Sequence, residues 1–114
     1  AGPVLGPFES YLSMRGIKTF PLRFERQCHN ACQIANWLNN QPKVAKVNFP
    51  GLPGHPDTAV SDRLFPSGLR GAMISFELKD AAREQVFAFM DRLKLVVRAT
   101  SLGDVHTMML YPAM

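Results

Sequence analysis

From Phe8 to Ile17 the apolar residues Phe8, Tyr11, Leu12 and Met14 recur at helical spacing, and Gly16 marks the expected end of a short helix. A longer stripe follows. Leu22, Cys28, Ala31, Cys32, Ala35 and Leu38 keep one face apolar until Asn39, Asn40 and Pro42, so the pattern predicts a helix over about 19–40. Thr19 is its expected cap, and Pro21 is tolerated in the first turn, where a backbone N–H has no helical partner anyway. Ile34 and Trp37 widen the apolar face, which implies packing on more than one side. At Val44 the period changes from helical to alternating, predicting a half-buried strand over about 44–49.

The stretch "FPGLPGHPDT" then breaks regular structure with Pro50, Pro53, Pro56, Gly51 and Gly54, and reads as a long surface loop. Asp62 to Leu64 is expected to form a helical turn before "PSGLRG", a second turn cluster. Alternation resumes in a strand over about 72–78. Asp80 is the expected N-cap of a helix over about 81–93, with Glu84 near the positive end of its dipole and Val86, Phe87, Phe89, Met90 and Leu93 as the buried stripe. Strands over about 95–100 and 106–111 flank a turn at Ser101–Asp104. This order lacks the strict strand and helix alternation of a doubly wound fold. It implies an α+β domain spanning 1–114, with an antiparallel sheet covered by helices on one face.

Composition narrows the function classes. A chain of 114 residues with 46% hydrophobic and 19% charged residues is long enough, and apolar enough, to bury a core. The formal charge of +4 comes from scattered arginines, among them Arg15, Arg63 and Arg98, which argues against a nucleic-acid footprint. No apolar run is long enough for a bilayer and the start lacks the features of a signal peptide, so no membrane role and a cytoplasmic location are expected.

Cys28 and Cys32 stand one helical turn apart with parallel side-chain directions, which disfavours a disulfide, and with His29 they do not complete a tetrahedral metal site. Both are expected to be small core residues. His55 reads as a solvated turn residue, His106 as a structural histidine on a strand, and Asp57 and Asp62 as turn formers. Ser101–Asp104 leaves two readings open. It is a plain hairpin loop, or a serine hydroxyl and backbone N–H groups that hold a carboxylate, with Gly103 permitting the tight path.

The stretches "RGIKTFPLR", "NACQIA", "VAKVNFPGLPGHP" and "SLGDVHTMMLYPAM", in that order, resemble the C-terminal domain of the pyridoxal-phosphate (PLP) dependent enzymes of cysteine and methionine metabolism. That family includes cystathionine lyases and synthases, methionine gamma-lyase and homoserine sulfhydrylases. The resemblance covers nearly the whole chain. It implies a fold-type-I subunit with PLP as cofactor, a sulfur amino acid or activated homoserine as substrate, and a substrate-binding role at the α-carboxylate for Ser101 and Leu102.

It also implies what the chain lacks. The family's cofactor lysine sits in a Ser-x-Thr-Lys context upstream, which none of Lys18, Lys43, Lys46, Lys79 and Lys94 shares, and its carboxylate-gripping arginine lies downstream of the Pro-Ala-Met segment. No catalytic residue is therefore expected within the chain, nor PLP bound by it alone. The expected partner is the rest of a parent enzyme, or a homo-oligomer, with another strand and helix completing the layer. The alternative from a different class is a stand-alone, non-catalytic binding or assembly module with the same fold.

Overall fold

The computed structural model describes residues 4–112 and contains four helices and four strands among them. Ala113 and Met114, the end of the "YPAM" segment, lie outside the described residues. Helix α1, Pro7–Ile17, starts with proline at a position that needs no N–H, and none of its residues is buried. Helix α2, Phe20–Asn39, buries Cys28, Ala31, Ala35 and Leu38. Their three- and four-residue spacing is one stripe of a helix. Leu22 and Cys32, expected in that stripe, are exposed instead. Thr19 does stand at the N-cap of α2, but its hydroxyl turns back to the Gly16 oxygen at 3.4 Å and leaves the helix amides uncapped.

Strands β1, Val44–Asn48, and β2, Ser75–Leu78, pair antiparallel, with a bulge between Val44 and Lys46. Val47 faces Phe76 in this register, so the two side chains share one face of the sheet. Val47 packs against the Ala31 and Ala35 stripe of α2. Phe76 meets Phe89 of α4, Arg83–Asp91, edge to face at 6.3 Å. Both helices therefore cover the same side of this sheet.

The loop after β1 departs from expectation. Phe49 and Leu52 are buried in the centre of the core with Ala31 and Ala35, although "FPGLPGHPDT" reads as a surface loop. The prolines and glycines stop regular backbone, and the two apolar side chains between them turn inward all the same. Gly51 allows this packing, because a Cβ there would stand 2.5 Å from the Phe49 ring. Helix α3, Thr58–Leu64, extends the helical turn expected at Asp62 to Leu64.

Two further expectations are corrected. The N-cap of α4 is Ala82, not Asp80, which adopts a left-handed φ of 50° in the turn before the helix. The amide of Ala82 is satisfied by the Gln85 side chain at 2.7 Å, half of a capping box that reaches back from inside the helix. The expected single antiparallel sheet is also absent among the described residues. Strands β3, Val97–Arg98, and β4, Met108–Met109, form a separate two-stranded sheet and run parallel. A parallel pair needs a connection that returns to the starting end, so Ser101–Asp104 lies on a crossover loop and not on a hairpin.

The core is small. The radius of gyration of the chain is 17.1 Å, against about 13 Å for an ordinary compact chain of this length. Phe8, Tyr11, Met14, Leu22 and Trp37 remain more than half exposed.

Candidate functional site

Three places gather chemistry-bearing residues: the Ser101–Asp104 loop, a recess beside the two cysteines, and His55. The loop is exposed throughout, with Leu102 78% accessible and Gly103 at φ 76°, a left-handed conformation suited to glycine. A long-range hydrogen bond reaches it: Gln27 Nε2 on α2 donates to the main-chain oxygen of Asp104 at 3.1 Å. Within the loop, Asp104 Oδ1 accepts the N–H of Val105 at 2.5 Å and that of His106 at 3.4 Å, and meets His106 Nδ1 at 3.2 Å. The His106 hydrogen bond, followed by the two backbone bonds, holds the Asp104 carboxyl below the usual carboxylate range.

That arrangement decides what Ser101 can do. Within the loop the Asp104 carboxylate is engaged by the N–H of Val105 and by the His106 ring. The hydroxyl of Ser101 and the N–H groups of Leu102 and Gly103 have no acceptor within the chain among the described residues. They present donors to solvent where a carboxylate oxygen can be held. His106 differs from expectation. It precedes β4 and is exposed, pairing with Asp104 where a structural strand histidine was expected. Gln27 is the residue sequence reasoning missed, because a polar helix position carries no signal of a contact 77 residues away.

Beside the core lies a recess of about 270 Å³ lined by Cys28, Cys32, Leu52, Thr58, Asp62 and Arg70, among others. Cys28 is buried and Cys32 is exposed, so only one of the two is a core residue. Asn36 Nδ2 stands 3.6 Å from the Cys32 sulfur and donates to the Cys32 oxygen at 2.8 Å. Arg70 bonds both Asp62 and the Phe65 carbonyl, closing the turn after α3. Asp62 is thus an ion-pair partner rather than a turn former. No three His, Cys, Asp or Glu side chains come together among the described residues.

His55 is bonded through both ring nitrogens. Nδ1 accepts the Asp57 N–H at 3.2 Å, which leaves Nε2 carrying the hydrogen and donating to Asn48 Oδ1 at 2.9 Å. It fastens the loop to β1 and keeps no lone pair free for a base.

The family whose profile matches residues 1–114 is described as Cys/Met metabolism PLP-dependent enzyme. The chain belongs to this family. It is 46% identical over 112 residues to an L-methionine gamma-lyase from Fusobacterium nucleatum subsp. nucleatum, a match covering 98% of the chain and 28% of that protein. An O-acetyl-L-homoserine sulfhydrylase 1 from Thermus thermophilus is 41% identical, with 26% of its length covered. Among solved structures, an O-acetylhomoserine sulfhydrylase of Wolinella succinogenes superposes with a TM-score of 0.90 at 41% identity, covering 98% of the chain and 32% of that one. A cystathionine gamma-lyase from Lactobacillus plantarum in complex with L-serine gives 0.81 at 36% identity, over 96% and 28%. The chain therefore spans between a quarter and a third of the proteins it matches.

The family is PLP-dependent. All five lysines are exposed, and the recess beside the cysteines does not include Ser101 or Leu102 among its lining residues. Membership rests on the match along the whole chain and not on a cofactor site.

Proposed function

We propose that the chain is the substrate-side, C-terminal part of a PLP-dependent trans-sulfuration enzyme, acting as C–S lyase or γ-replacement enzyme on cystathionine, methionine or an activated homoserine. Alone it is catalytically inert. The observation that carries the reading is the match itself: 98% of the chain is accounted for by enzymes of which it spans only 28%. The exposed apolar side chains of α1 and the extended shape agree with a surface that further protein covers. The reading includes a cytoplasmic site of action and assembly with the rest of the enzyme or as a homo-oligomer.

In this role Ser101 donates its hydroxyl to one oxygen of the substrate α-carboxylate, and the neighbouring N–H groups supply the other donors. Leu102 shields that contact from water, which strengthens a charge-assisted hydrogen bond. Gln27 and the Asp104–His106 pair fix the loop from behind.

The test begins with the protein expressed from its full reading frame. The expected intact mass exceeds 12.7 kDa, and Ser101→Ala in that enzyme is expected to raise KM more than it lowers kcat. Turnover of methionine, cystathionine or O-acetylhomoserine by the 114-residue chain alone with added PLP would overturn the proposal.

A further inference from the structure

Cys28 and Cys32 both line the recess of about 270 Å³ formed by α2, the loop after β1 and α3, and neither has a part in the function proposed above. Standing four residues apart on one helix, they have Cβ atoms about 5–6 Å from each other. A disulfide needs about 3.5–4.5 Å between those atoms, so the two thiols do not join directly. An ion between them fits instead. With each sulfur about 2.3 Å from the ion, a linear bridge spans about 4.6 Å, close to the separation that one helical turn imposes on two side chains of the same face.

The donors decide which ion. No third His, Cys, Asp or Glu joins the two cysteines among the described residues, which leaves a tetrahedral zinc ion two ligands short. A hard cation such as Ca²⁺ or Mg²⁺ needs carboxylate oxygens, and Asp62, the carboxylate of the recess, is held by Arg70. Two thiolates alone suit a soft monovalent cation that is content with two ligands. We propose that Cys28 and Cys32 bind one copper(I) ion in this recess as a linear bis-thiolate. Two S–H bonds break, two Cu–S bonds form and two protons pass to solvent, while copper keeps its oxidation state. The Asn36 side-chain amide, 3.6 Å from the Cys32 sulfur, donates to it and favours the thiolate. Cys28 is 4% exposed and Cys32 is exposed, so one ligand is anchored in the core and the other receives the ion. Both belong to α2, so the site does not depend on an open surface. A further segment laid across the mouth of the recess leaves the two ligands in place.

The protein is expressed from its full reading frame, so that any such segment is present, and titrated anaerobically with copper(I) in competition with bicinchoninate. Cys32→Ser removes the exposed ligand, and subtracting its uptake takes out ions bound elsewhere. The parent is expected to take up one equivalent per chain more than Cys32→Ser, and Cys28→Ala to lose the same equivalent, with far-UV circular dichroism checking that it keeps its fold. Because two protons leave, the affinity of that equivalent is expected to fall about a hundredfold from pH 7 to pH 6, against about tenfold for a site with one thiol. Bound copper is also expected to protect Cys32 from iodoacetamide.

Equal uptake by the parent and Cys32→Ser would overturn the proposal. So would a difference of half an equivalent, which would place the ion between the Cys32 thiols of two copies, a full equivalent kept by Cys28→Ala, or a tenfold change with pH. Uptake is read without turnover, so this proposal and the one for C–S chemistry fail separately.

Discussion

Gln27 Nε2 on α2 reaches the main-chain oxygen of Asp104 at 3.1 Å and ties the crossover loop to the longest helix of the chain. Because the bond is exposed to water, Gln27→Ala is expected to cost no more than about 1 kcal/mol of global stability. The local effect should be larger than the global one. Amide hydrogen exchange of Val105 and His106, whose N–H groups donate to Asp104 Oδ1, is expected to quicken in the variant while α2 keeps its protection. Unchanged exchange in the loop would show that something else holds it.

Phe49, 1% exposed, carries the core. Phe49→Ala is expected to cost about 3–5 kcal/mol, a sum comparable with the whole stability of a small domain. The variant should therefore lose its cooperative urea transition, whereas Phe49→Leu should keep one at a lower midpoint. A sharp transition in the alanine variant would mean that the loop after β1 lies outside the core.

These two residues also mark where the sequence was legible. The helical stripe of α2 and the alternation of β1 and β2 are local periodicities, and the elements stand within a few residues of where the pattern puts them. Burial of Phe49 and Leu52 was not legible, because proline and glycine report an irregular backbone and not the direction in which neighbouring side chains point. Strand direction was hidden for a similar reason. Two short apolar runs around a turn look alike whether they pair antiparallel or, as β3 and β4 do, parallel. At the candidate site, Ser101 and Gly103 announce a turn locally, but the bond from Gln27 belongs to tertiary structure and leaves no mark in either segment.

Asp104 gives the loop a pH dependence. Its carboxyl is held down first by the His106 hydrogen bond, then by the N–H groups of Val105 and His106. A carboxyl depressed in the folded state stabilises that state above its unfolded value, about 3.9, and loses the effect as pH falls through the lower folded value. The loop is therefore expected to loosen only in the window below the ordinary aspartate value. Carboxyl-carbon NMR titration checks this. The Asp104 midpoint should lie below the ordinary value and rise towards it in His106→Ala, and an unmoved midpoint would remove His106 as the main cause.

The two cysteines should separate chemically. Cys32 is exposed and Cys28 is buried, so iodoacetamide is expected to add one group rapidly, at Cys32, and a second only under denaturing conditions. Peptide mass mapping reads the site. Simultaneous labelling of both in the native chain would mean that the α2 stripe opens on the timescale of the reaction.

Asp80 occupies a left-handed conformation, φ 50°, in the turn that leads β2 into α4, where a side chain is strained and glycine is not. Two effects oppose each other in Asp80→Gly. Relief of strain favours the folded state by about 1 kcal/mol, and the greater freedom of glycine in the unfolded chain takes back a part of that. The side chain makes no hydrogen bond or ion pair among the described residues and does not cap α4, so little else is lost. Asp80→Gly is accordingly expected to be neutral or stabilising by up to about 1 kcal/mol, and Asp80→Val, whose branched Cβ fits this region worst, to destabilise by more than that. Denaturant midpoints of the two variants against the parent decide the matter. A valine variant as stable as the glycine one would show that the turn relaxes to negative φ.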